Sequence, residues 1–80
     1  MIFDAVKDKC VLLVLKILER KNATYSTLFK ETKVSHVTLQ NTLKELIKKD
    51  FIKREDNYKI LEKGRKLLKK LEDLNEIINN

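Results

Sequence analysis

Val34-Ser35-His36-Val37-Thr38-Leu39-Gln40-Asn41-Thr42-Leu43-Lys44-Glu45-Leu46 decides how this chain folds. Leu39, Leu43 and Leu46 follow one another at steps of four and three, which lines one side of an α-helix. Ser35 stands just ahead of the run, where its hydroxyl can accept a free amide of the first turn and cap the helix. The pattern predicts a helix from Ser35 to about Lys49. With the leucines turned inward, helical geometry turns His36, Val37, Gln40, Asn41, Lys44 and Lys48 outward. Asp50 stands where the chain must leave the helix, and a left-handed conformation is expected there.

Toward the N-terminus, residues 26–32 read as a short helix with Ser26 as its cap and Leu28 and Phe29 inward. Lys33 and Val34 make the turn into the next helix. Residues 4–21 read as a first helix, ended by Asn22 and Ala23, with two apolar faces. One is Phe3, Val6, Cys10, Leu13 and Ile17; the other is Val11, Val14, Leu15 and Leu18. A monomer's surface helix usually carries one such stripe, so two predict burial on two sides, one against a second chain. Toward the C-terminus, residues 51–55 and 58–61 flank Asp56-Asn57, which reads as a β-hairpin closed by two turn residues. From Glu62 to about Ile78, the positions Gly64, Leu67, Leu71, Leu74 and Ile78 alternate steps of three and four, the spacing of a coiled-coil seam. Leu68 and Ile77 widen it. The seam runs about three turns past what so small a domain covers.

The length predicts one domain, residues 1–80: a body over 1–61 and a dimerisation helix over 62–80. A chain of 80 residues buries only about 60% of its unfolded surface, which makes the core marginal. One cysteine cannot form an internal disulfide, and one histidine with one cysteine falls short of a zinc site. A partner subunit is the support left open. Lys and Arg number 18 against 12 Asp and Glu, a formal charge of +6, which favours a polyanionic partner. Without proline and with a single glycine, nothing reads as a linker. The apolar run Cys10 to Leu15 is too short for a membrane span, which needs about 20 residues. Glu19-Arg20-Lys21 stands where a leader would be cleaved. The expectation is a soluble, cytoplasmic, nucleoid-associated protein with no membrane partner, no cofactor and no metal. No small-molecule ligand is inferred.

The order helix, short helix, turn, helix, hairpin, helix is the plan of a winged helix-turn-helix. The quoted stretch resembles the recognition helix of the multiple-antibiotic-resistance-regulator type and its archaeal relatives. Lys49-Asp50-Phe51-Ile52-Lys53-Arg54 is similar to that family's K-G-L-I-x-R lead into the wing. Tyr58-Lys59-Ile60-Leu61-Glu62-Lys63-Gly64 is similar to its Y-x-L-T-x-K-G exit. The resemblance covers roughly residues 11–68. Asp50 departs from the family's Gly, and Leu61 from its helix-capping Thr or Ser. The long C-terminal seam resembles archaeal winged-helix proteins that dimerise through an antiparallel coiled coil of their last helices. What these resemblances imply is a mostly α fold with a small β-hairpin, a winged helix-turn-helix plus a long C-terminal dimerisation helix, that binds double-stranded DNA.

The residues carry a chemistry that fits this. Gln40 and Asn41 each give and accept a hydrogen bond, as adenine's major-groove edge requires, and Val37 suits a thymine methyl. Lys44 and Lys48 suit phosphates. Ser35, Thr38 and the free amides of the first turn are candidate phosphate donors, and His36 an exposed neighbour of a phosphate. Lys53, Arg54 and Lys59 put positive charge on the hairpin, whose tip, Glu55-Asp56, is acidic. The expected dimer surface is Phe3, Val6, Cys10, Leu13, Ile17, Leu67, Leu71, Leu74 and Ile78, with Cys10 either a buried apolar residue or an intersubunit disulfide. Two geometries stay open, helix 1 with helix 4 across the interface or helix 4 against helix 4.

Three functions remain: a homodimeric transcriptional regulator, a non-specific chromatin or architectural protein, and a protein-interaction module. An enzyme is not expected, since no glycine-rich phosphate loop and no Ser-His or His-carboxylate set is recognisable.

Overall fold

Ser35 opens the central helix as its position before the leucines predicts. Its backbone is extended (φ −67°, ψ 157°) and its hydroxyl accepts the Thr38 amide at 3.2 Å. The computed structural model describes the backbone of residues 5–79 and the side chains of residues 9–73. The elements are α1 (Ala5–Arg20), α2 (Tyr25–Thr32), α3 (His36–Lys48), β1 (Ile52–Arg54), β2 (Tyr58–Ile60) and α4 (Glu62–Asn79). α1 runs through the middle and packs against α2, α3, β2 and α4.

The second helix starts earlier than Ser26. Ala23 exchanges two backbone hydrogen bonds with Tyr58, at 3.2 and 2.8 Å, and so adds a one-residue bridge to the edge of β2. The chain turns into a helix directly after this anchor. Thr24 is therefore the cap, its hydroxyl accepting the Thr27 amide at 3.3 Å, and Ser26 lies exposed inside the first turn.

α3 ends as Asp50 foretells. Asp50 takes φ 62°, its amide donates to the Ile47 carbonyl at 3.0 Å, and the Phe51 amide reaches back to Leu46 at 2.9 Å. This paired reverse bonding lets the chain leave the helix and enter β1 at once. A left-handed non-glycine residue costs roughly 1 kcal/mol. Asp50→Gly is expected to raise stability by about 1 kcal/mol, read as a higher midpoint in chemical denaturation at constant slope; an unchanged or lower midpoint contradicts this account.

β1 and β2 pair antiparallel with Ile52 opposite Ile60, Lys53 opposite Lys59 and Arg54 opposite Tyr58. The connecting loop is Glu55-Asp56-Asn57, longer than the two-residue turn expected. Among the described residues only Lys33 and Asp50 are non-glycine residues at positive φ, whereas a two-residue turn of the usual hairpin type would need it at its centre.

The core gathers Cys10, Val14, Leu15 and Leu18 of α1, Leu28 of α2, Leu39, Leu43 and Leu46 of α3, Ile52 and Ile60 of the hairpin, and Leu68 of α4. Cys10 therefore does not belong to an outward stripe. It is 0% exposed within the single chain, where it packs as a buried apolar residue rather than presenting its sulfur on the expected dimer surface. Burial pushes its thiol up in pKa, partly offset by the hydroxyl of Thr42, itself buried on α3. Leu13 and Ile17 stay half-buried, as do Leu67 and Leu71 on α4. Ile17, Leu67 and Leu71 pack against the core of this chain. Phe3 lies outside the described residues, and the side chains of Val6, Leu74 and Ile78 lie outside the described side chains.

Gly64 has a role that the seam spacing does not announce. A Cβ built on it would lie 2.1 Å from the Phe51 carbonyl oxygen and 2.9 Å from an Ile60 side-chain carbon. The same carbonyl accepts the Leu61 amide at 3.0 Å. The first turn of α4 is thus pressed against the start of the wing, and the Leu61 amide, just ahead of the helix, is tied to the same carbonyl.

Candidate nucleic-acid interface

All six positions expected to face outward on α3 do so: His36, Val37, Gln40, Asn41, Lys44 and Lys48 are exposed. The inward leucines bring this about, since each is at most 3% exposed. Val37 is 67% exposed, which suits contact with another molecule better than packing within this one. Ile47, outside the set expected from the sequence, is also solvent-facing at 37%.

α3 and the hairpin enclose an open groove of about 500 Å³ lined by Tyr25, Gln40, Lys44, Ile47, Arg54 and Tyr58. Side chains alternate along a strand. Ile52 and Arg54 therefore share one face of β1, and Lys53 takes the other. Arg54 lies with its guanidinium 5.6 Å from the centre of the Tyr58 ring, which aims a cation into the groove beside Lys44. A second recess, lined by Asn41, Lys44, Glu45 and Lys48, runs along the other flank of α3. Lys44 borders both.

Lys53, Arg54 and Lys59 do not act as one cluster. Lys53 and Lys59 sit opposite each other on the far face, and Glu55 reaches back to both, at 3.5 and 2.8 Å. The Lys59 ammonium, and then the Lys53 charge, hold the Glu55 carboxyl below the usual carboxylate range, and Glu55 in turn raises Lys59. The depressed carboxyl means that this clamp is present above the ordinary carboxylate range and opens as pH falls through the lowered value. In a carbon-detected NMR titration, Glu55 is expected to titrate at lower pH than an ordinary glutamate and to move back up in Lys59→Met. An unshifted Glu55 would mean the clamp does not persist in solution.

The start of α3 is partly spoken for. Ser35 Oγ accepts the Thr38 amide and donates to Thr38 Oγ1 at 2.9 Å, so Ser35 serves the cap. Among the described residues nothing accepts the Thr38 hydroxyl proton or the amides of His36 and Val37, which precede the first helical bond, so these donors are left for an outside acceptor.

His36 is held in a way no spacing announces. Its ring stacks on Phe29 at 3.8 Å between centres and 7° between planes, and its Nδ1 lies 2.9 Å from the Tyr25 hydroxyl. Tyr25 and Phe29 both come from α2 and pack against the core. The ring pair is a contact between α2 and α3.

No helix among the described residues is long and apolar enough to cross a membrane. A capped helix with an exposed amide- and ammonium-bearing face, a supporting helix across a tight turn, and a hairpin that sets a cation beside it define a helix-turn-helix module with a wing. The chain belongs to the winged helix-turn-helix family of DNA-binding domains, whose family model matches residues 7–79. No curated protein and no solved structure shows significant similarity to it.

Proposed function

We propose that this chain is a homodimeric transcriptional regulator that reads the major groove of double-stranded DNA with α3. The observation that carries the reading is the shared groove, in which Gln40 and Lys44 of α3 meet Arg54 of the wing. Gln40 and Asn41 supply base-edge hydrogen bonds, and Val37 the apolar contact. Lys44, Lys48, Arg54, Thr38 and the first-turn amides of α3 supply phosphate contacts. Ser35 contributes through its cap, and Lys53 and Lys59 only where a phosphate displaces Glu55. In this reading the protein works in the cytoplasm on the nucleoid.

Half-buried Leu13, which lies on α1 outside the apolar cluster, supports a partner along α1. A second chain there would also cover Ile17, Leu67 and Leu71, joined by Phe3, Val6, Leu74 and Ile78. Two reading helices would then meet two half-sites related by the dimer axis.

Selection of bound sites from a random duplex library tests the reading. A recovered consensus with two-fold symmetry is expected. Binding without any consensus would make the chain an architectural protein, and no binding at low salt would leave a protein-docking module. Gln40→Ala with Asn41→Ala is expected to flatten the consensus, because each well-placed bidentate contact discriminates by about 1–3 kcal/mol. Full retention of the consensus in that double variant would show that another surface reads the bases.

A further inference from the structure

The geometry points to Tyr25 as a positioning residue: we infer that its hydroxyl holds His36 in the tautomer that carries hydrogen on Nε2, so that the neutral ring donates to a DNA phosphate. This rests on the proposal that the start of α3 meets the duplex. The Tyr25 hydroxyl and His36 Nδ1 are 2.9 Å apart. In a neutral imidazole one ring nitrogen is a donor and the other an acceptor, and the neighbour decides which. A phenol is a good donor, and the in-plane lone pair of an imidazole nitrogen is a better acceptor than a phenolic oxygen. The favoured arrangement has Tyr25 donating to Nδ1, which leaves the proton on Nε2.

Nε2 has no hydrogen-bond partner among the described residues, and His36 is exposed. A phosphate oxygen only accepts. The Nε2–H tautomer meets it with a donor, whereas the other tautomer would set a lone pair against a negative charge. Phe29 adds the second constraint. Its ring lies parallel to His36 at 3.8 Å, so the imidazole is fixed in plane as well as in tautomer, and less side-chain freedom remains to be lost on binding. Both groups come from α2, so α2 acts on the interface through His36.

His36 is the chain's single histidine, so one ring signal reports the tautomer. In the free protein at mildly alkaline pH, nitrogen NMR is expected to show the Nε2–H form, with the Nδ1–H share rising in Tyr25→Phe. Tyr25→Phe is expected to weaken duplex binding roughly threefold to tenfold, and to cause no further loss in a His36→Ala background. A dominant Nδ1–H tautomer in the unmutated protein, or a Tyr25→Phe loss that persists without His36, overturns the inference while leaving the DNA-binding reading intact. Failure of the unmutated chain to bind any duplex removes the interface and the inference with it.

Discussion

Gly64→Ala is expected to destabilise the fold by about 3 kcal/mol, the upper end of what overpacking costs. Two effects oppose each other at this position. Alanine favours helix over glycine by roughly 1 kcal/mol, and Gly64 lies inside α4, so propensity alone predicts a more stable protein. The added methyl, however, would stand 2.1 Å from the Phe51 carbonyl oxygen. That obstacle is backbone and cannot swing aside as a flexible side chain would. The carbonyl is already tied to the Leu61 amide, and Phe51 itself follows the reverse-bonded end of α3. Relief requires α4 to lift from the wing, which would loosen the packing of Leu68 in the core. For a chain of this size, with a total stability of roughly 4–12 kcal/mol, the loss is a large share. Thermal and denaturant unfolding read it directly. A midpoint equal to or above that of the unmutated protein would mean that helix propensity wins and that the close approach is not maintained.

Lys44→Ala combined with Arg54→Ala is expected to weaken all duplexes together. Each charge-assisted contact is worth about 1.5 kcal/mol, or roughly tenfold in affinity, so the pair should cost on the order of a hundredfold at moderate salt. Geometry singles out both positions. Lys44 borders both recesses along α3, and Arg54 is the wing cation on the groove side. The salt dependence separates this from a folding defect. Removing one cation from a phosphate should reduce the slope of log affinity against log salt by about 0.9, and the double variant should reduce it by roughly twice that. Lys53→Ala should change the slope much less, because Glu55 already occupies that ammonium. Equal slopes for the double variant and the unmutated protein would remove the groove from the interface.

Much of this molecule is legible in the order of its residues. The steps of three and four among Leu39, Leu43 and Leu46 set both the buried side of α3 and, by elimination, the exposed one. Ser35 and Asp50 mark the ends of that helix because caps act on amides and carbonyls within one turn. The two extended runs on either side of Asp56-Asn57 announce the hairpin, although its loop is one residue longer than expected. Where sequence and structure part, contacts between distant segments are responsible. Thr24 rather than Ser26 caps α2 because Ala23 is tied to Tyr58. Cys10 faces the interior rather than the expected outer stripe because α3 supplies Thr42 and its leucines across from it. Lys53 and Lys59 read as positive charge on the wing in the sequence, and the hairpin register sets both beside Glu55.

The sequence by itself determined the order of the elements, the two ends of α3 and the face that α3 shows to solvent, since its periodicity and its caps depend only on residues within a turn or two. Only the tertiary structure decided that Gly64 must lack a side chain, that Arg54 shares a groove with Lys44, and that Tyr25 grips His36 from 11 residues away. Those facts arise where elements pack, and the separation of their backbones in space is set by the core as a whole.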